Sequence, residues 1–144
     1  MASVSPSTKT LFENILYKSD LCTLATASLQ GKPEAATVQY YADENYNLYF
    51  ESFPSYRKYQ NITSNPRASV VITSPDMKTV QMDGAISQLS GSDADWAKQK
   101  IIERHGKGVG YLFAPDVRFF KFEPHWIRVL VDGKYPPTYE MVME

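Results

Sequence analysis

Residues 48–73 read LYFESFPSYRKYQNITSNPRASVVIT, and this stretch decides the fold. Leu48–Ser52 is rich in aromatic residues, which is typical of a strand. Ser55–Ser64 predicts a short helix, and Asn65-Pro66 ends it because a residue before proline disfavours the helical region. Ala68–Thr73 then predicts a strand buried on both faces. The stretch therefore predicts a strand–helix–strand unit.

Upstream of this unit, the sequence predicts a helix followed by two strands. Residues 1–19 form the N-terminal helical segment, in which Ser5 is a capping residue and Pro6 suits the first helical position. Leu21–Ser28 and Ala36–Tyr41 predict strands joined by a turn around Gly31-Lys32-Pro33. Short turns between consecutive strands favour antiparallel pairing.

Downstream, Thr79–Leu89 alternates apolar and polar residues and predicts a long strand. Gly84 inside that strand predicts a bulge or a close backbone approach. A helix follows, with Ser92 as its predicted cap, Arg104 and His105 in its last turn, and Gly106 as its stop.

The end of the chain predicts two more strands, Val117–Phe122 and Trp126–Val131, separated by Glu123-Pro124. Gly133–Glu144 contains two adjacent prolines and is predicted to be a tail that wanders or packs on a partner. The pattern gives a mainly β, α+β domain of mostly antiparallel strands. By itself it leaves a barrel and a sandwich equally open.

Composition limits the kinds of protein that this chain can be. Its 144 residues predict one domain, 1–144, and 43% hydrophobic residues suffice for a core. A net charge of -1 gives no field that favours nucleic acid. No apolar run is long enough to span a membrane. With a single cysteine, Cys22, and no signal-peptide pattern at the N-terminus, we expect a cytoplasmic protein.

An ordered set of motifs resembles the pyridoxamine 5'-phosphate oxidase-like family of FMN-binding split barrels, in its general-stress or uncharacterised branch. These motifs are Leu24-Ala25-Thr26-Ala27, Gly31-Lys32-Pro33, Val38–Tyr41, Asp43–Asn45, Leu48–Ser52, Ser55–Ile62, Asn65–Val70 and Val80–Ala85. The resemblance implies a six-stranded antiparallel split β-barrel with flanking helices. It also implies a homodimer that holds FMN in clefts at the subunit interface.

The resemblance further implies the residues that bind FMN. The phosphate would lie by a strand end and the start of a helix, where cations, hydroxyls and backbone N–H groups converge. One strand would run along the flavin ring, and a second would approach from the other side. The implied cofactor-binding residues are Val38, Gln39, Tyr40, Glu51, Ser52, Ser55, Arg57, Lys58, Thr79, Val80 and Gln81.

The chain departs from the family pattern at three points. The strand after Gly31-Lys32-Pro33 often carries an arginine that grips the phosphate, whereas this chain has Glu34–Thr37. Tyr56 replaces the serine that commonly precedes the Arg-Lys pair. The C-terminal substrate signature of true pyridoxamine phosphate oxidases is missing, and residues 126–129 are its nearest counterpart. Two phosphate contacts are therefore lost, and vitamin B6 synthesis is not predicted.

The predicted function is FMN binding, with flavin-dependent oxidoreductase activity on an unknown small molecule and no catalytic residue assigned. The alternatives are a heme- or deazaflavin-binding module and a non-catalytic dimer. Heme binding predicts a histidine at the cleft, either His105 or His125. The two histidines stand far apart without a carboxylate motif, so no metal site is predicted. Arg57 and Lys58 also have a plainer interpretation as solvated charges.

Overall fold

The computed structural model describes residues 3–106 and 110–144. It contains three α-helices, a 3-10 helix at Gly110–Phe113 and eight strands. The α-helices are α1 (Pro6–Lys18), α2 (Arg57–Ser64) and α3 (Gly91–His105). The strands are β1 (Leu21–Ala27), β2 (Pro33–Gln39), β3 (Tyr41–Ala42), β4 (Leu48–Ser52), β5 (Arg67–Thr73), β6 (Thr79–Gln88), β7 (Arg118–Asp132) and β8 (Thr138–Met143).

The strands form one antiparallel sheet that curls back on itself. Its order is β2-β1-β5-β6-β7-β4-β3, and β8 pairs with β7. The first and last strands of this order, β2 and β3, are consecutive in the chain and joined through Tyr40 alone. This arrangement confirms the expected split-barrel class and resolves the choice between barrel and sandwich. The sheet has eight strands instead of six because β3 is a two-residue continuation of β2 and β8 comes from the tail.

Helix α1 begins as the sequence predicts. The Ser5 side chain accepts a hydrogen bond from the backbone N–H of Thr8 at 3.2 Å, and Pro6 is the first helical residue. Phe12, Ile15 and Leu16 are buried in the main core. Met1 and Ala2, which belong to the predicted N-terminal segment, lie outside the described residues.

The other two helices begin at positions that differ from those predicted. Helix α2 starts at Arg57, so Ser55 lies in the preceding turn and Tyr56 is the N-cap residue, without a side-chain capping bond. Helix α3 starts at Gly91 after Ser90, so the prediction of Ser92 as a cap is wrong. Its predicted end is confirmed: Gly106 has φ 85° and its N–H donates to Ile102 O.

The predicted separation of two strands at Glu123-Pro124 is wrong, because β7 runs unbroken from Arg118 to Asp132. Asp83 of β6 pairs with Trp126, whereas Gly84 pairs with Pro124, so the register shifts by one residue. A proline lacks an N–H to donate, and a bulge is a position where that loss is tolerated. The predicted irregularity at Gly84 is confirmed.

The C-terminal tail also differs from the prediction, because Thr138–Met143 is a strand. It pairs with β7 from Ile127 to Asp132, with two register irregularities. Val142 and Met143 pack against the main core. The tail is therefore part of the sheet within one protomer.

Two clusters of buried side chains form the core. The larger fills the curled sheet beneath α1, and the smaller lies where α3 covers β4 and β7 around Tyr49, Ile101 and Phe119. Within residues 3–106 and 110–144, no helix is long and apolar enough to cross a membrane.

Candidate functional site

A cavity of about 340 Å³ lies between the ends of β2 and β4 and the start of α2. We call it the Lys58 cleft. It gathers four of the predicted site residues: Val38, Gln39, Glu51 and Lys58. Leu21, Thr37, Phe53 and Tyr56 complete its lining. The strand–helix unit of residues 48–64 thus contributes Glu51 and Lys58, and β2 contributes Val38 and Gln39.

Lys58 is the buried cation of this cleft. It is the second residue of α2 and only 9% exposed, and its Nζ lies 4.6 Å from the centre of the Tyr56 ring. Burial lowers the pKa of Lys58, while the charges of Glu34 and Glu51 act in the opposite direction. A lysine in this position is held in place by its surroundings and is not a freely solvated charge.

Two carboxylates accompany the cations at the start of α2. Glu34 Oε1 lies 3.8 Å from Arg57 Nη2, and the Arg57 side chain is 77% exposed. Burial raises the pKa of Glu51, and the Lys58 charge partly opposes that change. Among the described residues, Glu34 Oε2 and Glu51 Oε2 are buried without a hydrogen-bond partner. The predicted phosphate site therefore contains acceptors as well as cations.

Ser52 and Ser55 are placed differently from one another. Ser52 is 1% exposed and its Oγ has no hydrogen-bond partner in the described part of the chain. It shares its strand face with Leu48 and Phe50, which belong to the main core, because alternate residues of a strand face the same way. Ser55 is exposed in the turn before α2.

Two of the residues predicted to lie along the flavin ring, Tyr40 and Val80, have side chains that face the core. Tyr40 is 2% exposed, and its hydroxyl donates to Leu16 O at 2.6 Å. Its backbone N–H donates to Asp20 O at 3.2 Å, and its carbonyl lies 2.6 Å from His105 Nε2. Val80 is fully buried. Neither side chain is available to a ligand.

Gln81 lies in a separate place, on the outer face of the sheet. Its Oε1 accepts hydrogen bonds from Arg128 Nε and Nη2 at 2.9 and 2.6 Å. The Arg128 guanidinium lies 3.9 Å from the centre of the Tyr139 ring and 5.6 Å from that of Trp126. A cavity of about 320 Å³ is lined by Gln81, Trp126 and Arg128. We call Gln81, Trp126, Arg128 and Tyr139 the Gln81–Arg128 wall.

The sequence interpretation missed Arg128 as a partner of Gln81. The two residues face each other across β6 and β7, a pairing that depends on the register beyond the bulge. Thr79 starts β6 and is half-buried. Within one protomer, this wall and the Lys58 cleft line different cavities.

The two histidines have different environments. The side chain of His105 is 3% exposed, and its Nε2 lies within hydrogen-bond distance of the Tyr40 carbonyl oxygen. His125 is the extra residue of the β7 bulge and lines an outer cavity of about 470 Å³ with Asn65, Arg67 and Asp83. The described residues contain no group of three or more histidines, cysteines and carboxylates that could hold a metal ion.

These features define a curled antiparallel barrel with a cation-bearing cleft at its strand ends. Residues 8–130 match the family model described as pyridoxamine 5'-phosphate oxidase, and the chain belongs to that family. The resemblance seen in the sequence is confirmed at this level. A comparison with curated protein sequences finds no match.

Solved structures of several different kinds of protein have similar folds. The heme storage protein HutZ from Vibrio cholerae has a TM-score of 0.72 at 17% identity, over 81% of this chain and 89% of that one. A heme-binding protein from Mycobacterium smegmatis has a TM-score of 0.80 at 19% identity, and the match covers 96% of this chain but only 60% of that protein's chain. A protein related to general stress protein 26 from Clostridium acetobutylicum gives 0.76 at 13%, over 96% and 97%. At these identities the likeness concerns the fold.

Proposed function

We propose that this protein binds FMN in the Lys58 cleft and acts as a flavin-dependent oxidoreductase on a small molecule, in the cytoplasm and as a homodimer. The observation that carries the proposal is the burial of Lys58 at the start of α2, in a cavity that also contains Val38, Gln39 and Glu51. Maintaining a lysine at 9% exposure costs desolvation energy, which hydrogen-bond acceptors on a ligand in the cleft offset. When bound, a flavin supplies electron transfer.

The residues of the cleft fit the parts of a flavin. Phe53 and Tyr56 offer apolar and aromatic surface to a ring system. Val38 and Gln39 lie on β2, which ends the strand order and is paired along one edge only in the described sheet, so backbone groups are available to the polar rim of a ring. Lys58 and the uncapped first turn of α2 offer N–H donors to the acceptors on the tail of a flavin. The residues of this chain thus bind and orient the cofactor.

A homodimer explains why the predicted site falls on two surfaces. The Lys58 cleft and the Gln81–Arg128 wall are separate within a protomer. In the proposed dimer, the wall of one protomer covers the cleft of the other and excludes water from the ring. This arrangement uses both sets of predicted residues, with Thr79 and Gln81 on the second side.

Absorbance spectra and fluorescence titrations with FMN test the proposal. We expect oxidised-flavin bands and quenched flavin fluorescence for the wild type. Lys58→Met keeps the aliphatic stem but removes the charge, and it should weaken FMN binding about tenfold, which corresponds to about 1.4 kcal/mol. Lys134→Met, at an exposed turn before β8, is the matched control. A wild-type protein that neither carries flavin nor quenches added FMN would refute the proposal.

Heme binding at the outer cavity is the second candidate. His125 is exposed there, whereas His105 is committed to the Tyr40 carbonyl. Neutral imidazole is a common ligand of heme iron. This candidate predicts that the Soret band of added heme shifts and sharpens on binding, a change that His125→Ala abolishes and Lys58→Met leaves intact. A deazaflavin is less well supported, because the cations of the Lys58 cleft lie beside carboxylates and form no extended basic groove.

A further inference from the structure

The start of α2 carries two cations and two carboxylates in close proximity. Arg57 lies 3.8 Å from Glu34, and both Glu34 and Glu51 lie close enough to Lys58 for their charges to act on it. We call these four residues the Glu34 cluster. Arg57 is largely exposed, so its charge is screened by solvent. The buried members are Glu34, with a side chain 9% exposed, and Lys58.

Both carboxylates have one oxygen still to be satisfied. Glu34 Oε2 and Glu51 Oε2 are buried, and neither has a hydrogen-bond partner among residues 3–106 and 110–144. Glu34 also lines a small cavity of about 210 Å³ with Arg57, Gln60 and Asn61. A buried acceptor without a partner is costly, so these oxygens favour a ligand that donates hydrogen bonds.

The charges of the cluster limit which kinds of hydrogen-bond-donating ligand can bind there. A phosphate dianion offers acceptors only, and it would meet two carboxylates along with the cations. A cationic ligand would be repelled by the positive charges of Lys58 and Arg57. A neutral chain of hydroxyl groups both donates and accepts, so it can satisfy the carboxylate oxygens and the Lys58 ammonium together.

We propose that the Lys58 cleft and the small cavity beside Glu34 together select a neutral, hydroxylated tail, so that riboflavin binds at least as tightly as FMN, with Glu34 and Glu51 the specificity-determining residues. This inference rests on the proposed function, because it concerns the tail of the same flavin. Glu34 stands on β2, and its Oε1 lies 3.8 Å from Arg57 Nη2. Its negative charge repels a phosphate that Arg57 and Lys58 alone would attract.

Titrations of riboflavin and FMN, followed by flavin fluorescence at two salt concentrations, test this inference. For the wild type we expect a riboflavin Kd equal to or below the FMN Kd, with little dependence on salt. Glu34→Gln keeps the shape of the side chain but removes its charge. It should shift the ratio of the two affinities toward FMN about tenfold, in a manner that salt weakens. Glu51→Gln should shift the ratio in the same direction.

Glu103→Gln, an exposed carboxylate on α3, is the control and should leave the ratio unchanged. An FMN affinity tenfold above that of riboflavin in the wild type would overturn the inference and leave the proposed function standing. An unchanged ratio in both Glu34→Gln and Glu51→Gln, with folding verified by circular dichroism, would also overturn it. If neither flavin binds the wild type, the proposed function itself fails.

Discussion

Tyr40 is the residue that lets the sheet turn back on itself. It separates β2 from β3, and each of its polar groups has a partner: the hydroxyl bonds Leu16 of α1, the N–H bonds Asp20, and the carbonyl contacts His105 of α3. Three segments are thus tied to one buried side chain and its backbone. The Leu16 carbonyl lies in the last turn of α1, where carbonyls lack partners within the helix.

Tyr40→Phe should therefore destabilise the protein while preserving its shape. The substitution removes one buried hydroxyl and leaves the Leu16 carbonyl without its donor, which costs about 1 to 2 kcal/mol. Urea unfolding followed by circular dichroism measures the change. Tyr17→Phe is the matched control: its hydroxyl donates to Asp43 O at 2.9 Å on the surface, so its loss should cost less than about 0.5 kcal/mol. Equal effects of the two substitutions would contradict this account.

The β7 bulge is the feature at the scale of elements that shapes the outer face. It allows Pro124 to lie within a long strand and places His125 as the extra residue. Gly84 on β6 faces the bulge so closely that a Cβ atom would overlap the Glu123 carbonyl oxygen and lie 2.9 Å from the Phe122 ring. Only glycine allows the two strands to approach this closely.

Gly84→Ala should thus cost about 3 kcal/mol or more, because the added methyl group meets backbone that cannot move aside. Thermal and urea unfolding provide the measurement. Gly133→Ala serves as the comparison, since its Cβ would meet nothing within 4 Å. A Gly84→Ala protein as stable as Gly133→Ala would show that β6 and β7 separate easily at this position.

The elements that local signals specify were predicted well. The Ser5-Pro6 start of α1, the Asn65-Pro66 end of α2 and the irregularity at Gly84 all depend on residues adjacent in sequence. The continuity of β7 and the pairing of β8 depend on partners distant in sequence. Pro124 therefore suggested a break at a position where β7 continues, and Pro136-Pro137 suggested an unstructured tail at a position where β8 begins directly afterwards.

The candidate site follows the same rule. Lys58 and Glu51 reach one cleft because the strand–helix unit is local, and Val38 and Gln39 join them. The side chains of Tyr40 and Val80 face the core, which the sequence pattern did not indicate. Arg128 was missed because its pairing with Gln81 follows from cross-strand register. The carboxylates at Glu34 and Glu51 were visible in the sequence, but their burial beside Lys58 was not.

At the scale of the whole molecule, the outer face of β1, β5 and β6 is the surface on which we expect a second copy. Ala25, Ser69 and Asp83 lie exposed on it, and Ser69 donates to Asp83 at 2.7 Å. Small side chains of this kind leave the face open to close approach. The Gln81–Arg128 wall borders the same face, so association here would bring that wall toward a partner's cleft.

Ala25→Arg should convert the dimer to a monomer, because a long charged side chain at this point obstructs the association of two sheets. We expect light scattering on a sizing column to give a dimer for the wild type and a monomer for the variant, with FMN binding about tenfold weaker. Glu44→Arg, in the exposed turn between β3 and β4, should leave both properties unchanged. A monomeric wild type that binds FMN at full strength would rule out a shared cofactor cleft.

The pairing of β4 with β7 has a consequence for how the chain is made. Leu48–Ser52 emerges from the ribosome well before its partners Arg118–Phe122. Until then β4 can pair only with the two residues of β3, and β6 also lacks its β7 neighbour. Such long-range pairing slows folding, since distant segments must come together, at a cost in chain entropy, before their contacts stabilise the fold. The barrel therefore closes only after β7 has been synthesised.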